Sequence, residues 1–281
     1  MKERAHDLFD VVLLDVNGTL VPSVPDGRTD AIAMSHFCSL VGQLTSMSVA
    51  VGLCSDSPVE QLRTFGRSIG LGRSSWFPVV AENGNVVAVG SELEVIAPFP
   101  ALPHIRAEVA KTAARCGLRQ VGDVTAPEFG GSTPTRQEWA FGANRRASAS
   151  VFGAPLFIQR VQQSVTEWSA RHRVDASVEL SPDGAYAAIH PYAHAELGKR
   201  RALAQLAARE PTRTLLVGNS PADWVPHVEG VSCAFVADTS IPEHLRDAAW
   251  YASQKTDLEG VIDILQRVIR GQLALRNSAR S

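Results

Sequence analysis

The stretch that decides the fold is VVLLDVNGTL, residues 11–20 of a chain of 281 residues. Its four consecutive apolar residues predict a buried β-strand, and Asp15 followed by Asn17 and Gly18 predicts a turn where that strand ends. A carboxylate directly after an apolar strand costs free energy unless it has polar partners. By itself the pattern fits a simple turn or helix cap equally well, since Asp and Asn are common there.

Apolar strands and polar turns continue to alternate along the chain, and they predict an α/β fold with an open parallel sheet. The further predicted strands are residues 48–53, 78–80, 214–217 and 233–237, and the predicted helices are 30–44, 58–69, 196–208 and 257–270. Three more polar turns follow these strands or open a helix: Ser55-Asp56-Ser57, Gly198-Lys199 and residues 218–223. Because such sheets bind ligands at the carboxyl ends of their strands, we expect these turns to lie near Asp15.

A different pattern interrupts this alternation between residues 85 and 190 and predicts a second, α+β domain. It contains predicted helices at 104–116, 135–150 and 155–172, then alternating runs at 176–180 and 185–190 joined as a hairpin by Ser181-Pro182-Asp183-Gly184. We therefore assign residues 1–84 and 191–281 to a core domain and residues 85–190 to the insert. The Asn83-Gly84 pair before this boundary predicts a hairpin turn after the third strand.

Composition and charge exclude several classes of function. The chain carries 27 Lys and Arg against 29 Asp and Glu, a formal net charge of -2, so it lacks the basic field that nucleic acid binding requires. No apolar stretch approaches the roughly 20 residues of a membrane helix, so we expect no membrane partner. The four cysteines stand singly, without the spacing of a disulfide framework or a zinc site, so we expect a cytoplasmic protein. The oligomeric state is left open.

As a set, these turns resemble the motifs of the haloacid dehalogenase (HAD) superfamily of phosphatases and transferases. The matching segments are DVNGTL, LCSDSP, LGKRRAL and GNSPAD, in the family's order and across most of the chain. The resemblance implies a Rossmann-like parallel sheet core with an α+β cap inserted between the second and third motifs, as in the sugar-phosphatase branch. Within the insert, TRQEWAFGANRRASASVFGAPLFIQ distantly resembles the cap of mannosyl-3-phosphoglycerate phosphatases.

The resemblance implies catalytic roles for Asp15, Asn17 and Lys199. Asp15 would be the nucleophile that attacks phosphorus and becomes an aspartyl phosphate. Lys199 would neutralise charge on the nucleophile and on the transferring group. A Mg²⁺ cofactor would bind Asp15, the backbone carbonyl of Asn17, Asn219 and, through water, Asp223.

Four residues are expected to bind the substrate or its phosphate: Ser55, Asp56, Gly18 and Arg145. Ser55 matches the family's phosphate-binding hydroxyl. Asp56 would repel phosphate unless it faced away, so we expect it to cap the following helix. Arg145 is expected on a cap helix. Its guanidinium group would either bind a carboxylate or phosphate at the remote end of the substrate or lie on a solvated face.

Three other polar residues have simpler expected roles. His190 and His194, near the end of the insert, are expected in an exposed loop, although the hinge position would let them reach a substrate. Asp238, after the fifth strand of the core, is expected to be a turn residue.

Two positions depart from the family pattern. The family's second aspartate, which protonates the leaving oxygen and later activates water, is Asn17 here, and a carboxamide does not exchange a proton at neutral pH. Loss of such help costs about 10²- to 10⁴-fold in rate. The first aspartate of the fourth motif is Asn219, whose amide oxygen can bind Mg²⁺ but brings no charge, so we expect weaker metal binding.

Three interpretations stay open. The first is a phosphohydrolase acting on a small phosphorylated metabolite, of the sugar phosphate or phosphoglycerate type, that has moved its acid-base role to another residue or uses acyl phosphates. The second is a catalytically impaired relative that binds a phosphometabolite or a partner. The third, attack on carbon as in dehalogenases, is disfavoured because those enzymes carry a smaller helical cap.

Overall fold

A computed structural model describes residues 9–22, 30–71, 77–126, 129, 131–192, 197–209 and 212–278 of the chain. Two sheets with helices packed on them make up this part of the molecule. The strands are β1 Val11–Leu14, β2 Ala50–Cys54, β3 Val79–Ala81, β4 Val86–Val89, β5 Glu92–Val95, β6 Arg119–Gln120, β7 Glu138–Phe141, β8 Ala149–Gly153, β9 Ser177–Leu180, β10 Tyr186–His190, β11 Thr214–Gly218, β12 Val231–Phe235 and β13 Tyr251–Ala252. The helices are α1 Ala31–Ser46, α2 Val59–Ser68, α3 Leu102–Arg115, α4 Pro155–His172, α5 Leu197–Arg209, α6 Glu243–Ala248 and α7 Asp257–Ser278.

The larger sheet has eight strands in the order β13-β12-β11-β1-β2-β3-β4-β5. Strands β13 to β3 run parallel, and β1 lies at the centre, with Val11 paired to Thr214 on one side and to Ala50 on the other. The predicted α/β fold with a Rossmann-like parallel sheet is confirmed. This order brings the ends of β1, β2 and β11 to one edge, where the motif turns begin.

The central strand packs against apolar layers on both of its faces. Val12 and Leu14 belong to one cluster together with residues of α1, α2 and α7, whereas Leu13 belongs to another with residues of α5. Successive side chains of a strand point to opposite faces, so a strand covered on both sides must be apolar throughout. The VVLL run at the start of the deciding stretch meets this requirement, and all four residues are buried.

The smaller sheet belongs to the insert and has the strand order β6-β7-β8-β10-β9. Helices α3 and α4 cover one of its faces, and an apolar cluster that includes Trp139, Ile158 and Ile189 fills the space between. The predicted helix at 155–172 and the predicted hairpin before residue 190 are both present.

The predicted helix at residues 135–150 is wrong, because this segment forms β7, a turn and the start of β8. Trp139 and Phe141 both face the helices α3 and α4, as do Ala149 and Val151 in the next strand. These apolar residues repeat every second position, which is the period of a strand. The polar turn between the two strands interrupts this alternation, so the sequence of the segment as a whole predicts a helix.

The start of the insert also differs from the prediction. Strands β4 and β5, residues 86–95, continue the large sheet as an antiparallel extension beyond β3. The smaller sheet and its helices therefore begin only at α3, and the hairpin turn predicted at Asn83-Gly84 joins two strands of the core sheet. Strand β10 ends at His190 and α5 begins at Leu197, and the domain boundary at 190 stays a prediction. In the described part of the chain, no helix combines the length and the apolar character needed to cross a membrane.

The buried carboxylate of Glu82 holds the insert against the core. Glu82 lies in the short 3-10 turn between β3 and β4 and is fully buried. Its oxygens accept hydrogen bonds from the main-chain nitrogens of Arg146 (2.7 Å) and Ala147 (2.9 Å) and from Oγ of Ser148 (2.7 Å). At the rim of this contact, Glu60 pairs with Arg146 at 2.5 Å. Glu82 therefore anchors the loop between β7 and β8 above the core.

We expect Glu82→Gln to lower the free energy of unfolding by about 2–4 kcal/mol, because the new amide turns an N–H group toward donors that need an acceptor. Chemical denaturation followed by circular dichroism measures this change. Glu92→Gln, an exposed position on β5, is the matched control and should change it by less than about 0.5 kcal/mol. Equal effects of the two substitutions would contradict an anchoring role for Glu82.

Candidate active site

Asp15 stands at the carboxyl end of β1 in a tightly closed turn. Its main-chain nitrogen donates to the carbonyl of Val217 (2.8 Å), and the residue is only 7% exposed. The turn needs a glycine at Gly18, which has a φ of +73°, a conformation that other residues adopt only with strain. Its nitrogen donates to the carbonyl of Val21 (2.6 Å), so the turn already uses this donor. A phosphate-binding role for Gly18 stays a prediction.

Lys199 joins Asp15 to Asp223 in one buried cluster. Its ammonium nitrogen lies 3.1 Å from Oδ1 of Asp15 and 2.5 Å from Oδ1 of Asp223. The three residues are at most 7% exposed, although Asp15 and Lys199 are 184 positions apart in the sequence. The fold thus brings together three of the residues that the sequence motifs single out.

The turn before β4 positions the start of α5, on which Lys199 lies. Gly84 has a φ of +89°, and a Cβ atom added there would lie 2.1 Å from the carbonyl oxygen of Gly198. In the other direction, a Cβ atom on Gly198 would lie 2.0 Å from the carbonyl oxygen of Asn83. Only two glycines permit this approach of backbone to backbone. The sequence signals the hairpin and the lysine but not their contact.

The charges in this cluster alter one another's protonation. Burial raises the pKa of Asp15, Lys199 lowers it and Asp223 raises it, and the resulting pKa is about 6. Burial by itself would lower the pKa of Lys199, but Asp15 and Asp223 together raise it well above its usual value. At neutral pH, the cluster therefore holds a carboxylate at Asp15 and an ammonium group at Lys199.

Asp223 closes the turn that follows β11. Its Oδ2 accepts hydrogen bonds from the main-chain nitrogens of Asn219 (3.2 Å) and Ser220 (3.1 Å) and from Oγ of Ser220 (2.9 Å). Gly218 is required here because a Cβ atom would lie 2.1 Å from Cγ of Asp223. Asp223 thus holds its own turn with one oxygen and Lys199 with the other, and its contact with a metal through water stays a prediction.

The amide of Asn219 is oriented with its oxygen toward Asp15. Its Nδ2 donates to Oδ2 of Asp238 (3.1 Å), while its Oδ1 accepts from Oγ1 of Thr19 (3.2 Å). The same hydroxyl lies 3.4 Å from Oδ2 of Asp15. Asp238 therefore does more than form a turn, because it sets which end of the amide faces the site. One clue to this role of Asp238 was present in the sequence: Asp238 follows β12, and β12 lies next to β11 in the sheet.

The oxygen atoms on this side of Asp15 suit a Mg²⁺ ion. They comprise the carboxylate of Asp15 and the amide oxygen of Asn219, both hard donors, with the carbonyl of Asn17 on the same turn. Within the described ranges, no three Asp, Glu, His or Cys side chains are arranged to hold a metal ion. Asp15 would therefore be the single charged ligand in direct contact with Mg²⁺, and we expect Mg²⁺ binding to be weak.

The polar turn after β2 leads into a charged contact with the insert. Ser55 is buried at the end of β2, next to Asp56. Asp56 accepts two hydrogen bonds from the guanidinium group of Arg145 (2.9 and 3.1 Å) and one from Oη of Tyr186 (2.5 Å). Burial would raise the pKa of Asp56, but Arg145 and His190 hold it well below its usual value.

Two expectations about this contact are wrong. Asp56 does not cap α2, since the cap position is Pro58 and carries no side-chain hydrogen bond. Arg145 is not on a helix or on a solvated face: it lies in the loop between β7 and β8, and its side chain is 5% exposed. The partner that decides the orientation of Asp56 is 89 positions away, beyond the reach of local capping rules. Substrate binding by Ser55, Asp56 and Arg145 stays a prediction.

His190 is the buried last residue of β10, which corrects the expected exposed loop. Its Nδ1 lies 3.2 Å from Nδ2 of Asn85, and its Nε2 lies 3.5 Å from Asp56 and 3.9 Å from Glu179. Burial lowers the pKa of His190 to about 4, so the ring is neutral at pH 7. The sequence did not point to Glu179. His194 lies outside the described residues.

No protein-family model and no curated protein matches this sequence. Solved structures match its fold. A haloacid dehalogenase-like hydrolase from Bacteroides thetaiotaomicron aligns with a TM-score of 0.68 and 15% identity, over 92% of this chain and 99% of its own. A HAD subclass IIB sugar phosphatase aligns with a TM-score of 0.57 and 13% identity, over 91% and 97%. A trehalose-6-phosphate phosphatase related protein aligns with a TM-score of 0.56 and 13% identity, over 95% and 99%.

At these identities the likeness concerns the fold, and it covers both the parallel sheet and the inserted cap. The chain therefore has the HAD fold that its motifs implied. None of the three neighbours is described as a mannosyl-3-phosphoglycerate phosphatase, so that finer resemblance stays a prediction.

We expect Arg145→Met to lower the free energy of unfolding by about 2–4 kcal/mol, because it leaves the carboxylate of Asp56 without its charged partner. The double variant with Asp56→Asn should lose less than the two single losses combined. A double-mutant cycle by chemical denaturation measures this coupling. Arg119→Met is the matched control, since Arg119 pairs with Glu138 at the surface and should change stability by about 0–1 kcal/mol. A loss for Arg145→Met no larger than the control's would contradict the importance of this pair.

Proposed function

Starting from a HAD fold with a capped site, we propose that this protein is a phosphohydrolase for a small phosphorylated metabolite, of the sugar phosphate or phosphoglycerate type. The observation that carries the proposal is the buried cluster of Asp15, Lys199 and Asp223 at the carboxyl edge of the parallel sheet. A charged cluster of this kind is costly to bury, and it lies where α/β sheets bind their ligands.

In the proposed reaction, the carboxylate of Asp15 is the nucleophile. One of its oxygens forms a bond to phosphorus, the bond from phosphorus to the ester oxygen breaks, and an aspartyl phosphate results. Lys199 neutralises negative charge on Asp15 and on the transferring group, and the hydroxyl of Thr19 orients the second carboxylate oxygen. Mg²⁺ bound by Asp15, Asn17 and Asn219 would supply further charge neutralisation.

A second candidate function is supported by the two amides in the site. Asn17 stands where the family pattern has a proton donor, and Asn219 stands where it has a charged metal ligand. A protein with these substitutions would keep a phosphate pocket while losing turnover. It would then act by binding a phosphorylated metabolite or a partner.

We expect the protein to hydrolyse p-nitrophenyl phosphate and acetyl phosphate with Mg²⁺, and Asp15→Asn to lower this activity by at least about 10³-fold, because the amide is not a nucleophile. Acid quenching of the reaction with ³²P-labelled acetyl phosphate should trap a phosphorylated protein, and mass spectrometry should place the group on Asp15.

Asp247→Asn, at an exposed position on α6, should leave the activity unchanged and serves as the control. If the wild type hydrolyses neither compound but binds phosphosugars in calorimetry, the second candidate function replaces the first.

We expect the double variant Asn219→Asp with Asp238→Asn to bind Mg²⁺ at least about tenfold more tightly than the wild type, because it adds one charged ligand to the site. Asn219→Asp alone should gain less affinity for Mg²⁺, because the new carboxylate faces the carboxylate of Asp238. Isothermal titration calorimetry with MgCl₂ measures both, and EDTA should remove the activity of the wild type. Unchanged affinity in the double variant would show that the oxygen of Asn219 is not a metal ligand.

A further inference from the structure

The cap sheet has a polar face that lies over the motif turns of the core. On β10, Ala187 and Ile189 point toward the helices of the insert, so Tyr186, Ala188 and His190 point the other way. Tyr186 and His190 both contact Asp56 of the core, which shows that this face meets the turn after β2.

Glu179 lies on this same face. It is on β9, where it pairs directly with the small residue Ala188, and Val178 next to it packs into the apolar cluster on the opposite side. Its Oε1 is buried 3.9 Å from Nε2 of His190 and accepts no hydrogen bond from any residue that the structure describes. Two further buried atoms, Oγ of Ser177 and Nε of Arg145, also lack a hydrogen bond within the described ranges. Buried polar atoms of this kind need a partner, such as water or a polar ligand.

The charges around Glu179 come from both domains. Burial and the negative charge of Asp56 raise the pKa of Glu179, Lys199 and Arg145 oppose this rise, and the resulting pKa is about 7. The influence of Lys199 places this carboxyl group within electrostatic range of the catalytic cluster. His190 faces it as a neutral ring, and Tyr192 lies near enough for Glu179 to raise the pKa of its hydroxyl.

The other candidate acids around the site are held in other interactions or are fully buried. Asp56 is ionised and tied to Arg145 and Tyr186. His190 is fully buried and neutral. Asp223 uses one oxygen for its turn and the other for Lys199. Among the described side chains at the contact between cap and core, Glu179 combines an unbound carboxylate oxygen with a pKa close to neutrality.

We propose that Glu179 is the catalytic acid and base that takes the place of a carboxyl group at position 17. This inference rests on the proposed phosphohydrolase function. As the bond between phosphorus and the ester oxygen breaks, the leaving oxygen takes the proton of the Glu179 carboxyl group and departs as an alcohol. The Glu179 carboxylate then takes a proton from water, the water oxygen bonds to phosphorus, and the bond from phosphorus to Asp15 breaks to release inorganic phosphate.

The test is Glu179→Gln with two kinds of substrate: p-nitrophenyl phosphate, whose leaving group departs as an anion, and the best alkyl phosphate from a panel of sugar phosphates and phosphoglycerates. We expect kcat/KM for the alkyl phosphate to fall by about 10²- to 10⁴-fold. With p-nitrophenyl phosphate, the first-turnover burst of nitrophenol should persist, whereas steady-state turnover should fall because the water step lacks its base. Glu167→Gln, at an exposed position on α4 on the outer side of the cap, should change neither.

The pH dependence gives a second, independent measurement. Because the acid must be protonated, wild-type kcat/KM for the alkyl phosphate should fall as the pH rises above about 7. In Glu179→Gln this fall above pH 7 should disappear. The remaining pH dependence of kcat/KM should reflect only the ionisation of the substrate's own phosphate.

Equal losses of kcat/KM on both kinds of substrate would overturn the proposal, and so would a fall of kcat/KM above pH 7 that persists in Glu179→Gln. So would a wild type that hydrolyses p-nitrophenyl phosphate but no alkyl phosphate. If Asp15→Asn abolishes activity while Glu179→Gln behaves like Glu167→Gln, the role of Glu179 is refuted and the aspartyl-phosphate mechanism stands. If no substrate gives product that depends on Asp15, both proposals are refuted.

Discussion

The ammonium group of Lys199, held between Asp15 and Asp223, is the interaction on which the rest of the site depends. Two carboxylates buried side by side would repel each other and favour protonation, and only a positive charge between them lets Asp15 stay ionised near neutral pH. The contact also joins β1, α5 and the turn after β11. The glycine contact between residues 84 and 198 and the internal hydrogen bonds of Asp223 hold the lysine and its second partner in place.

The cap is held to the core by charged groups that take part in the same site. Glu82 binds the loop between β7 and β8 through two main-chain nitrogens and a hydroxyl, and Asp56 holds Arg145 from the same loop. Asp56 follows β2 and Glu82 follows β3, two neighbouring parallel strands of the core sheet. The position of the cap, and with it the polar face that carries Glu179, is therefore set by the edge of the sheet that also positions Asp15. This coupling is consistent with a catalytic group supplied by the cap.

Where the structure differs from the sequence-based expectations, a distant partner overrides a local rule. The helix expected at 135–150 is two strands, because Trp139 and Phe141 pack on the same apolar layer with a period of two. Asp56 follows a strand and precedes a helix, which favours a cap, yet a guanidinium group from the insert binds it more strongly than a helix end would. The sequence did not mark Glu179 as a functional residue. A glutamate in a run of alternating apolar and polar residues is usual on the exposed face of an edge strand.

What the sequence by itself determined was the parallel core, the existence of the insert and the identity of the residues at the strand ends. Apolar runs long enough to be strands, each followed by a polar turn, leave few alternatives to an α/β sheet whose turns share one edge. Only the tertiary structure decided which charges pair: Lys199 with both aspartates, Asp56 with Arg145, and Asp238 with the amide of Asn219. It also decided that Oε1 of Glu179 lies near His190 but accepts no hydrogen bond from the described residues. The physical reason is that electrostatic and hydrogen-bond energies depend on distances of a few ångströms, and these distances are set by packing between segments far apart in the chain.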